Sequence, residues 1–452
     1  MKKIFTVSIV SILCAATVFA QEVKEPWSLR KCIEFGVEHN ISVQQYDLIK
    51  ENQEITLQTS QLSRLPSLSA NVGQNLYLGR AQDRDGLYQD RTSSTSNFGV
   101  SAGIPIFSGF RINNQIKANA LELEAAVEDL NQAKENVSLQ ITGYYLQVLF
   151  TKELYKIAIT QLELSKELVD RTKDLVQAGK SPESELCDAQ ASAAKEEMNV
   201  TDAANNLQVA LLDLAQAINL QDMEGFDVDM PDVDATLLAS QVRYSEPSNI
   251  YSSYVANKPA VKAAQLRVNE SEKSLEVAKS AYYPTLSLGA SYSNSYYYVH
   301  KLATGLNNTS MADQLSQNGA TSIGLSLSIP IFNKMATRNS VRSAKLGIRN
   351  QQLSLDKTKQ DLYKEVQQAW VNAQGAYQKF ISSQKGVEAS QKAFEFEEEK
   401  YLSGRSNTYQ YSQVRARLAS SLSEEARAKF EFLLRSKILA FYEGMPIAES
   451  FE

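Results

Sequence analysis

One pattern occurs twice in this chain of 452 residues, and that duplication restricts its fold more than any other feature. The sequence Ile-Pro-Ile-Phe at 104–107 recurs unchanged at 329–332, which is 225 residues later. The sequence Gly-Lys-Ser at 179–181 recurs as Gly-Arg-Ser at 404–406, again 225 residues later. Since both landmarks share one offset, the segments between them have equal length, and each half is predicted to fold as a copy of one unit.

Long proline-free tracts follow each Ile-Pro-Ile-Phe landmark and are rich in Ala, Leu, Glu, Gln and Lys, which favour helices. We predict helical hairpins of 113–178 with 182–219 and of 338–403 with 407–442, each turning at a glycine. Each longer arm has 66 residues and would extend for roughly 100 Å at about 1.5 Å per residue. Apolar residues from 341 to 380 keep a three-and-four spacing, which is typical of coiled-coil packing.

Four shorter segments alternate apolar and polar residues with period two, which predicts β-strands. In each segment one face carries mainly Leu, Val, Ile, Ala or Tyr, and the other mainly Ser, Gly and Asn. A membrane barrel with a wet lumen has this pattern, whereas the alternative interpretation is the edge of a soluble β-sandwich. The polar segments near 80–96 and 299–320 would be outward-facing loops. The predicted strand pairs are 67–79 with 97–107 and 285–298 with 321–331.

Five tyrosines lie next to or within the third predicted strand and would form an interfacial aromatic girdle. Four strands cannot close a barrel, and an eight-stranded barrel from two chains would be filled by its own side chains. Three chains would supply twelve strands and a conduit, so the pattern favours a homotrimer with closed symmetry. The girdle residues are Tyr282, Tyr283, Tyr296, Tyr297 and Tyr298.

The first twenty residues have the basic, apolar and small-residue order of a secretory signal peptide, 1–20. An uncleaved anchor is the alternative. Cleavage would leave 44 basic against 52 acidic residues, and this acidic balance does not indicate a nucleic-acid partner. Cys32 and Cys187 would remain, and their distance in sequence predicts two separate buried thiols. With His39 and His300 as the remaining histidines, we expect neither a metal site nor an enzyme.

Several features together resemble the TolC family of outer-membrane efflux proteins over essentially the whole mature chain. They are the duplicated hairpins, the strand landmarks and the glycine turns, and Trp27-Ser28-Leu29 followed by His39-Asn40 is similar to that family's opening helix. The strand landmarks include Leu65-Pro66-Ser67-Leu68-Ser69, which recurs as Tyr283-Pro284-Thr285-Leu286-Ser287.

The resemblance implies a TolC-like trimeric 12-stranded β-barrel in the outer membrane of a Gram-negative cell, with four strands per chain. The barrel would continue into a long periplasmic α-helical coiled-coil barrel. The implied function is a passive exit duct of a tripartite efflux or type I secretion system. Its partners would be outer-membrane lipid, a periplasmic membrane-fusion adaptor and an inner-membrane efflux pump or ABC exporter, and it would need no cofactor.

The resemblance also implies roles for the hairpin tips, where an adaptor would dock on six residues. It places a gate just past the tips, where Glu185 and Asp188 could form carboxylate rings, or could be no more than a solvated helix face. The family often has aspartates at the positions of Gln410 and Gln413, so this chain departs from the pattern there. The adaptor-docking residues would be Gly179, Lys180, Ser181, Gly404, Arg405 and Ser406.

Between the halves, six acidic residues lie within 222–234 and are interpreted as part of a solvated linker, 221–248, around the equator. The first repeat would then be 21–220, the second 249–442, and the tail 443–452. A different class of function is a secreted coiled-coil structural or adhesive protein with small soluble sheets. The four amphipathic strands favour the duct, because a soluble coiled coil does not need a lipid-facing band.

Overall fold

The computed structural model describes residues 26–82, 86, 88–230, 245–300 and 307–447. The predicted signal peptide, part of the acidic linker and the end of the tail lie outside these residues. The described helices are α1 Leu29–His39, α2 Ile41–Leu62, α3 Arg111–Gln177, α4 Glu183–Ala217, α5 Pro247–Tyr254, α6 Pro259–Ser280, α7 Met311–Gln317, α8 Ala336–Leu402 and α9 Thr408–Tyr442. The described strands are β1 Ser67–Gln82, β2 Tyr88–Ser108, β3 Thr285–Val299 and β4 Ala320–Ser328.

The duplication extends to the lengths and the ends of the helices. Helices α3 and α8 have 67 residues each, and α4 and α9 have 35 each. Left-handed backbone conformations at the helix ends also recur after 225 residues, although the residue type changes in three of the four pairs. Position in the fold therefore determines these conformations even where glycine is absent. The pairs are Gly109 with Lys334, Phe110 with Met335, Gly179 with Gly404, and Asn219 with Gly444.

The four strands form one antiparallel sheet in the order β1-β2-β3-β4, so β1 and β4 are its edges. Its register aligns residues of one kind across the strands. One row consists of four serines and another is entirely apolar, so the sheet has a hydroxyl-rich face and an apolar face. The serine row is Ser69, Ser101, Ser291 and Ser322, and the apolar row is Leu68, Ala102, Ala290 and Ile323.

Two strand boundaries and two loops differ from the sequence prediction. Strand β2 begins at Tyr88, so the predicted loop 80–96 is mostly strand; its polar start, 88–96, lacks the alternation on which the prediction depended. Strand β4 ends at Ser328, before Pro330, which has no N–H to donate. The predicted loop 299–320 contains helix α7, where Ser310 Oγ accepts from Asp313 N at 3.1 Å.

Next to the sheet, the helices form a layer in which α2 packs on α3, α3 on α6, and α6 on α8. Arg267 of α6 joins α3 through Asp129, with Nη1 to Oδ1 at 3.4 Å, and through Glu122, with Nε to Oε1 at 3.8 Å. Lys258, at the start of α6, reaches Glu135 Oε2 at 3.2 Å. This layer, like the sheet, is open, and its edges are α2 and α8.

The largest buried cluster lies where the two hairpins meet α1. Phe380 of α8 and Phe432 of α9 stack with ring centroids 5.5 Å apart, and Ile141 and Tyr145 of α3 are buried with them. The His39-Asn40 landmark joins the beginning of the repeat to its end. Asn40 Nδ2 donates to Ala217 O at 3.1 Å, and Asn219 Nδ2 donates to His39 O at 3.1 Å.

The acidic linker is more ordered than the sequence suggested in its described part, 221–230. Trp27 and Val228 form a parallel bridge, and Lys152 contacts both Val228 O at 2.7 Å and Asp227 Oδ1 at 2.6 Å. Val228 and Phe226 are buried. This part of the linker therefore packs against α3, and calling it a solvated linker was wrong.

Cysteine and hydropathy findings complete the description. Neither thiol is bonded to the other, as expected, and Cys32 is fully buried, which raises its pKa to about 12. Cys187 is exposed, so the prediction that both thiols are buried was wrong. Among the described residues, no helix combines the length and the apolar character that crossing a membrane requires.

Two glycines with similar backbone angles should respond differently to alanine. A Cβ on Gly109 would lie 2.6 Å from Ser280 O, whereas one on Gly179 would meet nothing within 4 Å. Gly179→Ala is therefore expected to cost only the left-handed strain, about 1–2 kcal/mol, and Gly109→Ala more than that. Thermal unfolding followed by circular dichroism in detergent checks the difference. Equal losses of Tm in the two variants would contradict it.

Candidate functional site at the hairpin tips

The first tip is a tight helix-to-helix turn. Helix α3 ends at Gln177, and Gly179 takes a left-handed φ of 68°. Lys180 N then donates to Leu175 O at 2.8 Å, which closes the end of the helix in a Schellman motif. Pro182 directly precedes α4, where its missing N–H leaves no donor unsatisfied.

The second tip repeats the turn with different capping chemistry. Gly404 has a φ of 74°, and Arg405 N donates to Lys400 O at 2.8 Å. Asn407 replaces Pro182 as the N-cap, and its Oδ1 accepts from Gln410 N at 2.9 Å. Lys180 and Arg405, with their glycines, are exposed, so both tips present a basic turn to solvent.

Glu185 connects the two tips. Its Oε2 accepts from Ser181 Oγ at 2.7 Å, within its own hairpin, and from Thr408 Oγ1 at 3.1 Å, in the other hairpin. Thr408 is buried at the first turn of α9, whereas Glu185 is half-buried. The carboxylate that the sequence placed in a possible gate therefore holds the hairpins of one chain together.

The other candidate gate residues are exposed at the tips. Gln410 Oε1 accepts from Ser406 Oγ at 3.1 Å, and Gln413 Nε2 donates to Tyr409 OH at 2.9 Å. Ser406 Oγ also donates to Glu397 Oε1. Asp188, one turn after Glu185, is exposed. The structure thus places Gln410 within the second tip, and it leaves Asp188 and Gln413 on the surface.

Sequence reasoning missed a buried arginine behind the tips. Arg415 of α9 is 2% exposed, and its Nη2 donates to Ser192 Oγ of α4 at 3.4 Å. Burial lowers the pKa of this guanidinium, and Glu196 partly offsets that effect. Tyr401 and Tyr411 stack nearby with ring centroids 4.8 Å apart. The aromatic spacing was visible in the sequence, but the approach of α4 to α9 was not.

The predicted girdle tyrosines lie at the two ends of β3. Tyr282 and Tyr283 directly precede the strand and are about half exposed. Tyr297 and Tyr298 lie near its far end with smaller exposed fractions, and Tyr296 and Tyr298 have ring centroids 6.4 Å apart. The strand between them would span roughly 45 Å at about 3.3 Å per residue. The tyrosines therefore form two groups at different levels.

Among the described residues, no group of three or more His, Cys, Asp or Glu side chains is arranged to hold a metal ion. What the site offers is two exposed turns and a link between them.

Comparison with known proteins identifies the family. The sequence profile of the outer membrane efflux protein family matches residues 39–220 and 250–441, so the chain belongs to that family. The two matched segments correspond to the two repeats. Members are transport ducts in the outer membrane rather than enzymes, and the long hairpins form the periplasmic extension of the duct.

Individual relatives are distant. The chain is 22% identical over 302 residues to the outer membrane efflux protein BepC of Brucella suis, which covers 67% of this chain and 62% of that protein. It is 23% identical over 380 residues to the pyoverdine export outer membrane protein OpmQ of Pseudomonas putida, with 82% and 75% covered. This chain therefore spans less than two thirds of the length of BepC.

Solved structures confirm the TolC-like fold, with four strands per chain and long helical hairpins. Crystal structures of CusC match with a TM-score of 0.74 at 14% identity, covering 92% of each chain. The Campylobacter jejuni CmeC outer membrane channel matches with a TM-score of 0.73 at 16% identity, covering 94% of this chain and 87% of that one.

The link between the tips gives a prediction. Thr408→Val removes the donor to Glu185 while keeping the shape of the side chain, so the second tip should move more freely. We expect faster hydrogen–deuterium exchange of the backbone amides at 404–411. Adding Glu185→Gln should change this rate little further, because the two residues act through one contact.

Thr172→Val is the matched control, because the buried Thr172 hydroxyl donates only within its own helix, to Leu168 O at 2.7 Å. Exchange at 404–411 should stay unchanged in that variant. If Thr408→Val and Glu185→Gln each accelerate exchange and their effects add, the two residues do not act through a shared contact.

Proposed function

We propose that three copies of this chain form a closed exit duct of a tripartite efflux or type I secretion system. The sheet carries this proposal, because both of its edges are unpaired within the chain and its apolar face is open. Leu68 and Val72 are each 76% exposed, and Ile323 is 74% exposed. A lipid-facing sheet must pair all its backbone groups, so it closes into a barrel.

The number three follows from the four strands. Two copies would make eight strands, whose interior is filled by side chains. Three copies make twelve strands, and the hydroxyl-rich face of the sheet then lines a conduit. The helical layer has two open edges at the same ends of the chain as the sheet, so closing one ring closes the other.

The tips are the proposed docking surface for a periplasmic adaptor, which would connect the duct to an inner-membrane pump or ABC exporter. The exposed Lys180 and Arg405 present a positive charge at each tip. Six tips in a trimer would form a ring of turns at one end of the helical barrel. The export role named for the relatives BepC and OpmQ supports this direction of transport.

A planar-bilayer recording on purified protein, with its oligomer mass measured on the same sample, tests the duct. We expect a trimer that gives discrete conductance steps. A soluble species without channel events would instead favour a structural coiled-coil protein and would overturn the barrel.

The carboxylates at the first tip should control conductance through the duct. Three copies of Glu185 and Asp188 would form two acidic rings, which favour cations. Glu185→Gln with Asp188→Asn is expected to abolish any divalent-cation block of conductance. Asp213→Asn is the matched control, because Asp213 is exposed on the same helix, α4, near its other end. Unchanged block in the double variant would disprove the acidic gate.

A further inference from the structure

We infer that neighbouring chains join through a copy of the seam that joins the two halves inside one chain, so that the internal register specifies the residues in contact. Strand β4 and helix α8 of one protomer would pair with β1 and α2 of its partner. The inference rests on the closed oligomer proposed above and adds the partner, a second copy of this chain, and the register of the contact.

The structure itself tests the conversion between repeats. Residues of β1 map to β3 by adding 218, and residues of β2 map to β4 by adding 225. Applied to the β1–β2 pair Ser67 and Gly103, this predicts Thr285 opposite Ser328, which is the observed β3–β4 pair. The conversion therefore reproduces the sheet register without adjustment, and the pair Asn75 with Thr95 likewise maps to the observed pair Ser293 with Ala320.

The β2–β3 pairing inside the chain has no second copy there, because its equivalent would join β4 to the β1 of another chain. The internal pair Ala102 with Ala290 converts to Leu327 opposite the partner's Val72. Leu327 is 60% exposed and Val72 is 76% exposed. Both lie on the apolar face of the sheet, which a register slip of one residue would not preserve.

An irregularity in the internal pairing supports the same register. The β2–β3 ladder skips Ile106, between Pro105 and Phe107, and the equivalent residue is Ile331. Ile331 is 95% exposed and directly follows Pro330, beyond the end of β4. The segment 329–332 thus has no strand partner within its own chain, whereas its copy in β2 pairs with β3.

The helices provide a second part of the seam. Arg267 of α6 contacts Glu122 and Asp129 of α3, and the same conversion places Ile49 of α2 beside Gly347 and Ser354 of the partner's α8. Ile49 is 48% exposed, and a Cβ on Gly347 would meet nothing within 4 Å. The glycine therefore leaves room for an isoleucine from outside.

Exposed leucines and isoleucines flank this contact on both helices. Leu48 and Ile55 are seven residues apart on α2, and Leu346 and Leu353 are seven residues apart on α8. All four are more than half exposed within one chain. Since α2 runs toward the sheet and α8 runs away from it, Leu48 comes level with Leu353, and Ile55 with Leu346. Seven-residue spacing on both sides suits a coiled-coil contact.

Disulfide trapping tests the register. Leu327→Cys with Val72→Cys should form an interchain disulfide under mild oxidation, seen as covalent dimers and trimers on a non-reducing gel. Leu327→Cys with Leu68→Cys is the control, because four residues along the strand separate the thiols by roughly 13 Å. A Cys187→Ser background removes the exposed native thiol. The oligomer mass is measured on the same samples.

Trapping of the control pair but not the predicted pair, in a trimeric sample, would overturn the register and leave the duct standing. A monomeric sample without either product would overturn the duct itself. The expected result is trapping of the predicted pair alone.

An exchange of residues between seams tests the helical contact. Ile49→Arg alone should weaken the trimer, because it puts an unpaired charge in an apolar seam. Ile49→Arg with Ser354→Asp recreates the internal pair of Arg267 with Asp129, and it should restore trimer mass in detergent. Arg349→Asp is the control, since it neighbours the seam on α8 but does not convert to a contact of Arg267. Equal restoration by both acidic variants would disprove the assigned contact.

Discussion

Unpaired backbone groups at the edges of the sheet are the constraint on which the rest of this structure depends. A strand facing lipid has no water to satisfy its amides, so the edges β1 and β4 must find partners. The helical layer follows the same logic with side chains in place of backbone groups, since its edge helices α2 and α8 carry exposed apolar residues. A single chain is therefore an open segment of two concentric rings.

Duplication explains how one chain supplies so regular a segment. Helices of 67 and 35 residues occur twice, so both tips reach the same level. The two tips are nevertheless chemically different, because Pro182 and Glu185 in one correspond to Asn407 and Gln410 in the other. The link from Glu185 to Thr408 uses this difference and could not exist between identical tips.

Much of the fold could be predicted from the sequence because its signals are local. Absent prolines and three-and-four spacing gave the hairpins to within a few residues, and alternation gave the strand pairs. The start of β2 could not be predicted, because Ser, Thr, Asp and Gln between 88 and 96 show no apolar face. Arg415 and the Glu185 link depend on contact between α4 and α9, which lie more than 200 residues apart, and the packed linker depends on Trp27.

The row of four serines across the sheet has a consequence for what the duct does to its contents. Hydroxyl groups carry no net charge and can both donate and accept hydrogen bonds. A wall of them hydrates like the solvent it encloses, so a solute passing along it exchanges one set of hydrogen bonds for an equivalent set. Transit then proceeds without a deep energy minimum, and any sorting by sign of charge falls to the far end of the helices.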